Sequence, residues 1–183
     1  MNIAERERDK YQQIWGFPSY SNRSPGLEHV DMFCSIANPR RGASIMDIGA
    51  GSGAASSELK SRGFFVRAFD LTHEAWKHPD IPLTTGTIWR DIHGIPDYAY
   101  CCDVMEHIPT EFVALSIREI LDHCGRAFFS ISFLPDQMGA LIGQDLHLTV
   151  RPFTWWRDLF REMGILLDAR DLLGEGIFYV ENY

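Results

Sequence analysis

The chain alternates between two hydrophobic periods. Short apolar runs of strand character, Ser44–Asp47, Phe64–Asp70, Tyr98–Asp103 and Arg126–Phe133, are separated by segments whose apolar residues return every three or four positions. Ser44–Asp47 leads through a glycine-rich turn into a helix that reaches Arg62 and stops at Gly63. From Leu71 to Pro96 prolines compress the chain, leaving one short strand within Leu83–Trp89. Val113, Ile117, Ile120, Leu121 and Cys124 form the inward stripe of a helix over Thr110–Cys124, with Gly125 as its stop. Trp156, Leu159, Phe160 and Met163 repeat at i, i+3, i+4 and i+7 in a helix capped by Thr154 and ended by Gly164. Ile165–Ala169 and Ile177–Glu181 flank Gly174-Glu175-Gly176 as a terminal hairpin.

The first forty residues read as helical. Met1–Trp15 places Ile3, Tyr11, Ile14 and Trp15 on one apolar stripe, and Gly16, Pro18 and the polar run Ser19–Asn22 break it. Ser24 and Pro25 supply an N-cap and a first-turn proline for a helix that turns Leu27, Val30, Cys34 and Ala37 inward and stops before Pro39. Strands alternating with helices predict an α/β fold whose parallel sheet is covered on both faces. The expected organisation is one domain over 1–183, with a helical cap at 1–40 and a long loop at 134–151 acting as a lid.

Composition narrows the classes. With 45% hydrophobic and 13% aromatic residues the chain is globular, and no apolar run is long enough to span a membrane. The charged start, Met1–Lys10, is neither a signal nor a transit peptide, so a cytoplasmic location is expected. Cys34, Cys101, Cys102 and Cys124 form no Cys-x-x-Cys pair and read as reduced thiols. The net charge of −8 lacks the footprint of a duplex-DNA binder, and Arg40, Arg41, Arg151, Arg157 and Arg161 read as solvated surface. His29, His73, His78, His93 and His123 fit no ligand spacing and read as surface or loop residues.

The candidate chemistry begins at Asp47-Ile48-Gly49-Ala50-Gly51-Ser52-Gly53. Glycines let a ligand lie against the backbone, and the following helix presents free N–H groups. Gly49-x-Gly51-x-x-Ala54 also fits the looser dinucleotide fingerprint. The carboxylate of Asp47 would repel a pyrophosphate and attract an ammonium or sulfonium group. Asp70 ends the second strand, where an acid can accept hydrogen bonds from a ribose diol.

Asp47-x-Gly49-x-Gly51-x-Gly53 resembles the first motif of the class I S-adenosylmethionine (SAM)-dependent methyltransferases. Asp103-Val104-Met105-Glu106-His107-Ile108-Pro109 is similar to a segment of their type 11 family, and the resemblance spans Ser44–Gly164. It implies a Rossmann-like seven-stranded sheet, mostly parallel with an antiparallel last strand and helices on both faces. It implies SAM as cofactor, with Asp47, Gly49, Gly51 and Gly53 in the binding loop, Asp70 on the ribose and Asp103 close by. Thr87 stands where relatives place an acid near adenine, and Trp89 either stacks on that base or joins the core. Arg23, in the segment before the sheet, is a candidate partner for the methionine carboxylate.

Asp103, Glu106 and His107 at a strand–helix corner, with His147 in the long loop, are the candidate catalytic residues. This block resembles the Glu-x-x-Glu-His block that holds a divalent metal in small-RNA 2′-O-methyltransferases and ubiquinone-pathway O-methyltransferases, with Asp103 here in place of the first Glu. These four ligands suit Mg²⁺, Mn²⁺ or Fe²⁺. In the metal-free alternative His107 or His147 is a general base and the acids orient the acceptor. The expected activity is methyl transfer to a small-molecule acceptor, oxygen before nitrogen. The rivals are an RNA 2′-O-methyltransferase and a non-catalytic SAM-binding or partner-binding subunit. DNA base methylation is disfavoured, because the chain has no Asn/Asp-Pro-Pro-Tyr segment and no Pro-Cys nucleophile. A monomer or homodimer is expected.

Overall fold

The apolar runs of the sequence become adjacent strands in the computed structural model, which describes residues 2–183. They are β1 (Ser44–Ile48), β2 (Phe65–Asp70), β3 (Leu83–Thr85), β4 (Tyr98–Cys102), β5 (Arg126–Ser132), β6 (Ile165–Leu172) and β7 (Glu175–Glu181). They form one seven-stranded sheet in the order β3-β2-β1-β4-β5-β7-β6. The first five pair in parallel, and β7 lies antiparallel between β5 and β6. Every residue of β4 is buried, as expected of a central strand covered on both faces.

Each face has its own core. On one, α6 (Thr110–Cys124) buries its predicted stripe, and α7 (Phe153–Met163) seats Trp156 and Phe160 against Phe129 and Phe178. On the other, α4 (Val30–Ala37) and α5 (Ala54–Ser61) bring Val30, Phe33 and Leu59 onto Ile45, Tyr100 and Phe128. These contacts leave the strand C-terminal ends open on one side of the sheet, where α1 (Ile3–Ile14), α2 (Pro18–Ser21) and α3 (Pro25–Glu28) reach the loops.

Several sequence expectations are corrected. The helix expected after Pro25 is broken at His29 into α3 and α4, which rotates Leu27 out to 43% exposure, and Phe33 takes the core position assigned to Cys34. His29 leaves the helical pattern to pair with Glu175 of β7, Nε2 to Oε1 at 2.8 Å. It sits in the turn between α3 and α4, where a surface or loop residue was expected, with its ring largely buried in that pair. Ser24 makes no side-chain cap bond, and Thr154 is the second residue of α7, whose N-cap is Pro152. The third strand ends at Thr85, because Thr87–Trp89 turn back. The hairpin is longer than expected and turns tightly at Leu173-Gly174, with Gly174 at φ 83°.

The stripe predicted for the first helix is also incomplete. Ile14 is buried, but Ile3, Tyr11 and Trp15 are half-buried, and Met1 lies outside the described residues. The other buried positions of α1 are Glu7 and Lys10, which form an ion pair, and Lys10 Nζ also donates to the Asp145 carbonyl at 3.2 Å. The reason is that α1 lies over a polar cavity and a loop instead of an apolar sheet face. The loop itself is anchored: Leu146 and Thr149 are buried, and the Leu148 and Thr149 N–H groups donate to the Glu106 carbonyl at 2.8 and 2.9 Å.

Candidate functional site

The glycine loop is shaped by backbone that only glycine adopts freely. Gly49, Gly51 and Gly53 have φ of 72°, 53° and 84°. A Cβ on Gly49 would lie 2.2 Å from a methyl of Val104, and one on Gly53 2.7 Å from Trp76 and His78. Asp70 holds the loop from β2: one carboxylate oxygen accepts from the Gly51 N–H at 2.8 Å and the other from the Thr72 N–H at 3.0 Å. Asp47 accepts from the Ser56 hydroxyl at 2.6 Å. Its burial pushes the carboxyl up to about 7 against the opposing pull of Ser56. Burial also raises Asp70, against its backbone donors.

A cavity of about 780 Å³ opens above this loop. Asp47, Gly49, Gly51, Asp70, Thr87, Trp89, Asp103, His107 and His147 line it, with Arg23 at its exposed rim; Gly53 lies behind it as the N-cap of α5. Thr87 is tied down: its N–H and hydroxyl both donate to Asp91, at 2.8 and 2.7 Å. Trp89 stacks on Phe112 at 4.7 Å, so one indole face belongs to the core while the side chain still borders the cavity.

The second cluster sits across the cavity, at the end of β4. Asp103 has φ 58°, a strained conformation for a residue with a side chain, and its N–H donates to the Ser130 carbonyl at 2.9 Å. A 3-10 turn, Met105–His107, follows. Glu106 is fully buried: Oε1 accepts from the Ser132 N–H at 2.6 Å, and Oε2 has no hydrogen-bond partner among the described residues. Burial first, then the charge of Asp103, push its carboxyl well up. Burial pushes His107 down to about 4. His107 Nδ1 lies 2.7 Å from the Tyr11 hydroxyl and 3.1 Å from the Leu146 carbonyl, and His147 Nδ1 lies 2.6 Å from the Leu134 carbonyl. Carbonyl acceptors favour the Nδ1–H tautomer and leave Nε2 with its lone pair. The two rings meet edge to face at 4.6 Å. One donor atom from each of Asp103, Glu106, His107 and His147 lies within 4.8 Å of the others.

Tyr11 and the pair His29–Glu175 also line the cavity, and neither was legible as a site residue. Tyr11 fell on a helical stripe where a tyrosine reads as core. His29 and Glu175 are far apart in sequence, and no local spacing links them.

No family model matches the chain, and no curated protein matches it by sequence. Solved structures do match. A magnesium protoporphyrin IX methyltransferase from Synechocystis PCC 6803 with bound SAH shares 17% identity at TM-score 0.67, covering 96% of this chain and 94% of that one. A TehB-like SAM-dependent methyltransferase from Corynebacterium glutamicum shares 16% at 0.65, covering 98% and 100%. A structure from Rhodobacter sphaeroides described among Zn-dependent alcohol dehydrogenases shares 14% at 0.75, covering 100% of both chains. The strand order, with β7 antiparallel between β5 and β6, decides among Rossmann-like sheets. This is the class I methyltransferase fold. In a methyltransferase fold the strand C-terminal ends form the ligand side. The glycine loop lies there, and Asp103, His107 and His147 of the cluster line the same cavity, with Glu106 fully buried beside them. Among the described residues no helix is long and apolar enough to cross a membrane.

Proposed function

We propose that this chain is a SAM-dependent methyltransferase acting on an oxygen of a small-molecule acceptor. The observation that carries the reading is the single cavity lined by the glycine loop and Asp70 and, across it, by Asp103, His107 and His147, with the buried Glu106 within 4.8 Å of these three. The loop fits SAM: its glycines hold a left-handed backbone path that side chains would block, and the buried carboxylates of Asp47 and Asp70 beside it would favour a ligand that carries positive charge. When bound, SAM supplies a methyl group already activated by its sulfonium. Gly49 and Gly51 would let the ligand lie against the backbone, and Asp70 keeps lone pairs on both oxygens for the ribose hydroxyls. Arg23 would meet the methionine carboxylate from the rim. Thr87 and Trp89 would border the base.

The cluster's role is to receive the acceptor hydroxyl, and His147 Nε2 is the group suited to take its proton. Seven acidic residues and one arginine, with no lysine, line the cavity. That charge favours a neutral or cationic acceptor over a phosphate-rich strand, which counts against the RNA reading. One observation favours a divalent cation at the cluster: Glu106 Oε2 is buried and unpartnered beside three other donors, and two of these are imidazoles braced by carbonyls. The four residues would hold Mg²⁺, Mn²⁺ or Fe²⁺, and the ion would supply Lewis acidity toward the hydroxyl.

The test is turnover of SAM to S-adenosylhomocysteine across a panel of hydroxylated and amino acceptors. SAM binding without turnover on any acceptor would point to an idle binding subunit, and absence of SAM binding would overturn the proposal. Loss of activity in EDTA, restored by one of the three metals, supports the cation. Activity that survives EDTA but falls with His147→Ala supports the base.

A further inference from the structure

The sheet has two edges, and only one is long. At one end β3 offers three residues; at the other β6 offers eight, and among the described residues no strand pairs with its outer side. α7 packs on one face of β6, yet Ile165, Leu167 and Leu172 remain 46%, 47% and 36% exposed, and Leu173 in the turn is fully exposed. An edge with open backbone groups and apolar side chains is a template for another strand. Proline and lysine, the usual guards of such an edge, are absent from Ile165–Leu173. Its one irregularity is the register shift between Leu166 and Asp168, which confines the regular edge to the residues from Asp168 onward.

On one face of that edge the charges are self-complementary. Asp168 and Arg170 sit two residues apart on one face, and Arg170 donates to both Asp168 oxygens at 3.0 Å. Consider a second copy laid antiparallel along the edge, with Ala169 opposite its own equivalent. Arg170 of each copy then faces the partner's Asp168. Sliding the register by two residues sets Asp168 against itself in one direction and Arg170 against itself in the other, and like charges directly opposite are unfavourable. Slips of one residue put opposite faces together.

We propose that β6 is a homodimer interface, through which two copies pair edge to edge and join their sheets into one. Leu173 and Gly174 also line the cavity, so the interface reaches the mouth of the candidate site. The proposal does not depend on the chemistry assigned to that site.

Light scattering and sedimentation of the full chain test it. The wild type should run at twice the chain mass at micromolar concentration. Asp168→Arg and Arg170→Asp should each weaken the dimer at least about tenfold, because each sets like charges face to face. An equimolar mixture of the two variants should recover a dimer, since their edges complement each other. Leu173→Ser, at a fully exposed position that folding does not need, should also weaken association. A wild type that stays monomeric, or charge variants that dimerise as well as wild type, would overturn the proposal.

Discussion

Asp47 is a residue whose environment works against its own charge. Burial raises its carboxyl to about 7, well above the ordinary range of an unfolded aspartate. Between those values the folded state holds a proton that the unfolded state has lost, so stability falls as pH rises through the window. Three units correspond to about 4 kcal/mol at full effect. Urea unfolding of the ligand-free protein between pH 4 and 8 should show this slope, and Asp47→Asn should flatten it while weakening SAM binding. An unchanged slope would mean that Asp47 is not the titrating group. Gly51 is constrained differently. A side chain there would be strained at φ 53° and would press on Trp15, 3.1 Å from the new Cβ. Gly51→Val should therefore abolish measurable SAM binding by calorimetry, and the crowding falls on the protein's own indole as well as on the ligand. Asp70→Ala should cost about 1–3 kcal/mol of stability, because two backbone donors lose their acceptor.

Among the elements, α1 is the one whose place depends most on polar contacts. Glu7 and Lys10 are buried as a pair, Lys10 reaches the long loop, and Tyr11 reaches His107. Removing one partner of a buried pair leaves an uncompensated charge and costs about 3–5 kcal/mol, whereas replacing both can be neutral. Lys10→Met should thus lower the melting temperature sharply, and Glu7→Leu combined with Lys10→Met should recover most of it. Equal destabilisation in the single and double variants would show that α1 is not held by this pair. Tyr11→Phe should leave SAM affinity intact and lower kcat more than it changes KM, because the hydroxyl braces an imidazole instead of binding the cofactor. If α1 and residues 134–151 act as a lid, both should gain hydrogen-exchange protection with S-adenosylhomocysteine and acceptor bound. Exchange that ignores the ligands would make them fixed walls.

For the whole molecule, the two helical layers and the sheet between them set the stability. Phe33 meets Tyr98, Tyr100 and Phe128 with ring centroids 5.3–6.0 Å apart, and Phe33→Ala should cost about 3–5 kcal/mol in urea unfolding. The sequence by itself determined what is local. Apolar runs and helical stripes set the strands and helices, and glycines at fixed spacing after a strand set the loop. A strand–helix corner placed Asp103, Glu106 and His107 within a few residues of one another, and the strand after α6 put His147 at the same end of the sheet. Tertiary structure alone decided the rest. It split the helix at His29 to reach Glu175, turned Leu27 outward, packed Trp89 on Phe112, laid Glu7 and Tyr11 of α1 over the cavity and set Lys10 against the long loop. Those contacts join residues far apart along the chain, and periodicity carries no information about which distant surface a helix will meet.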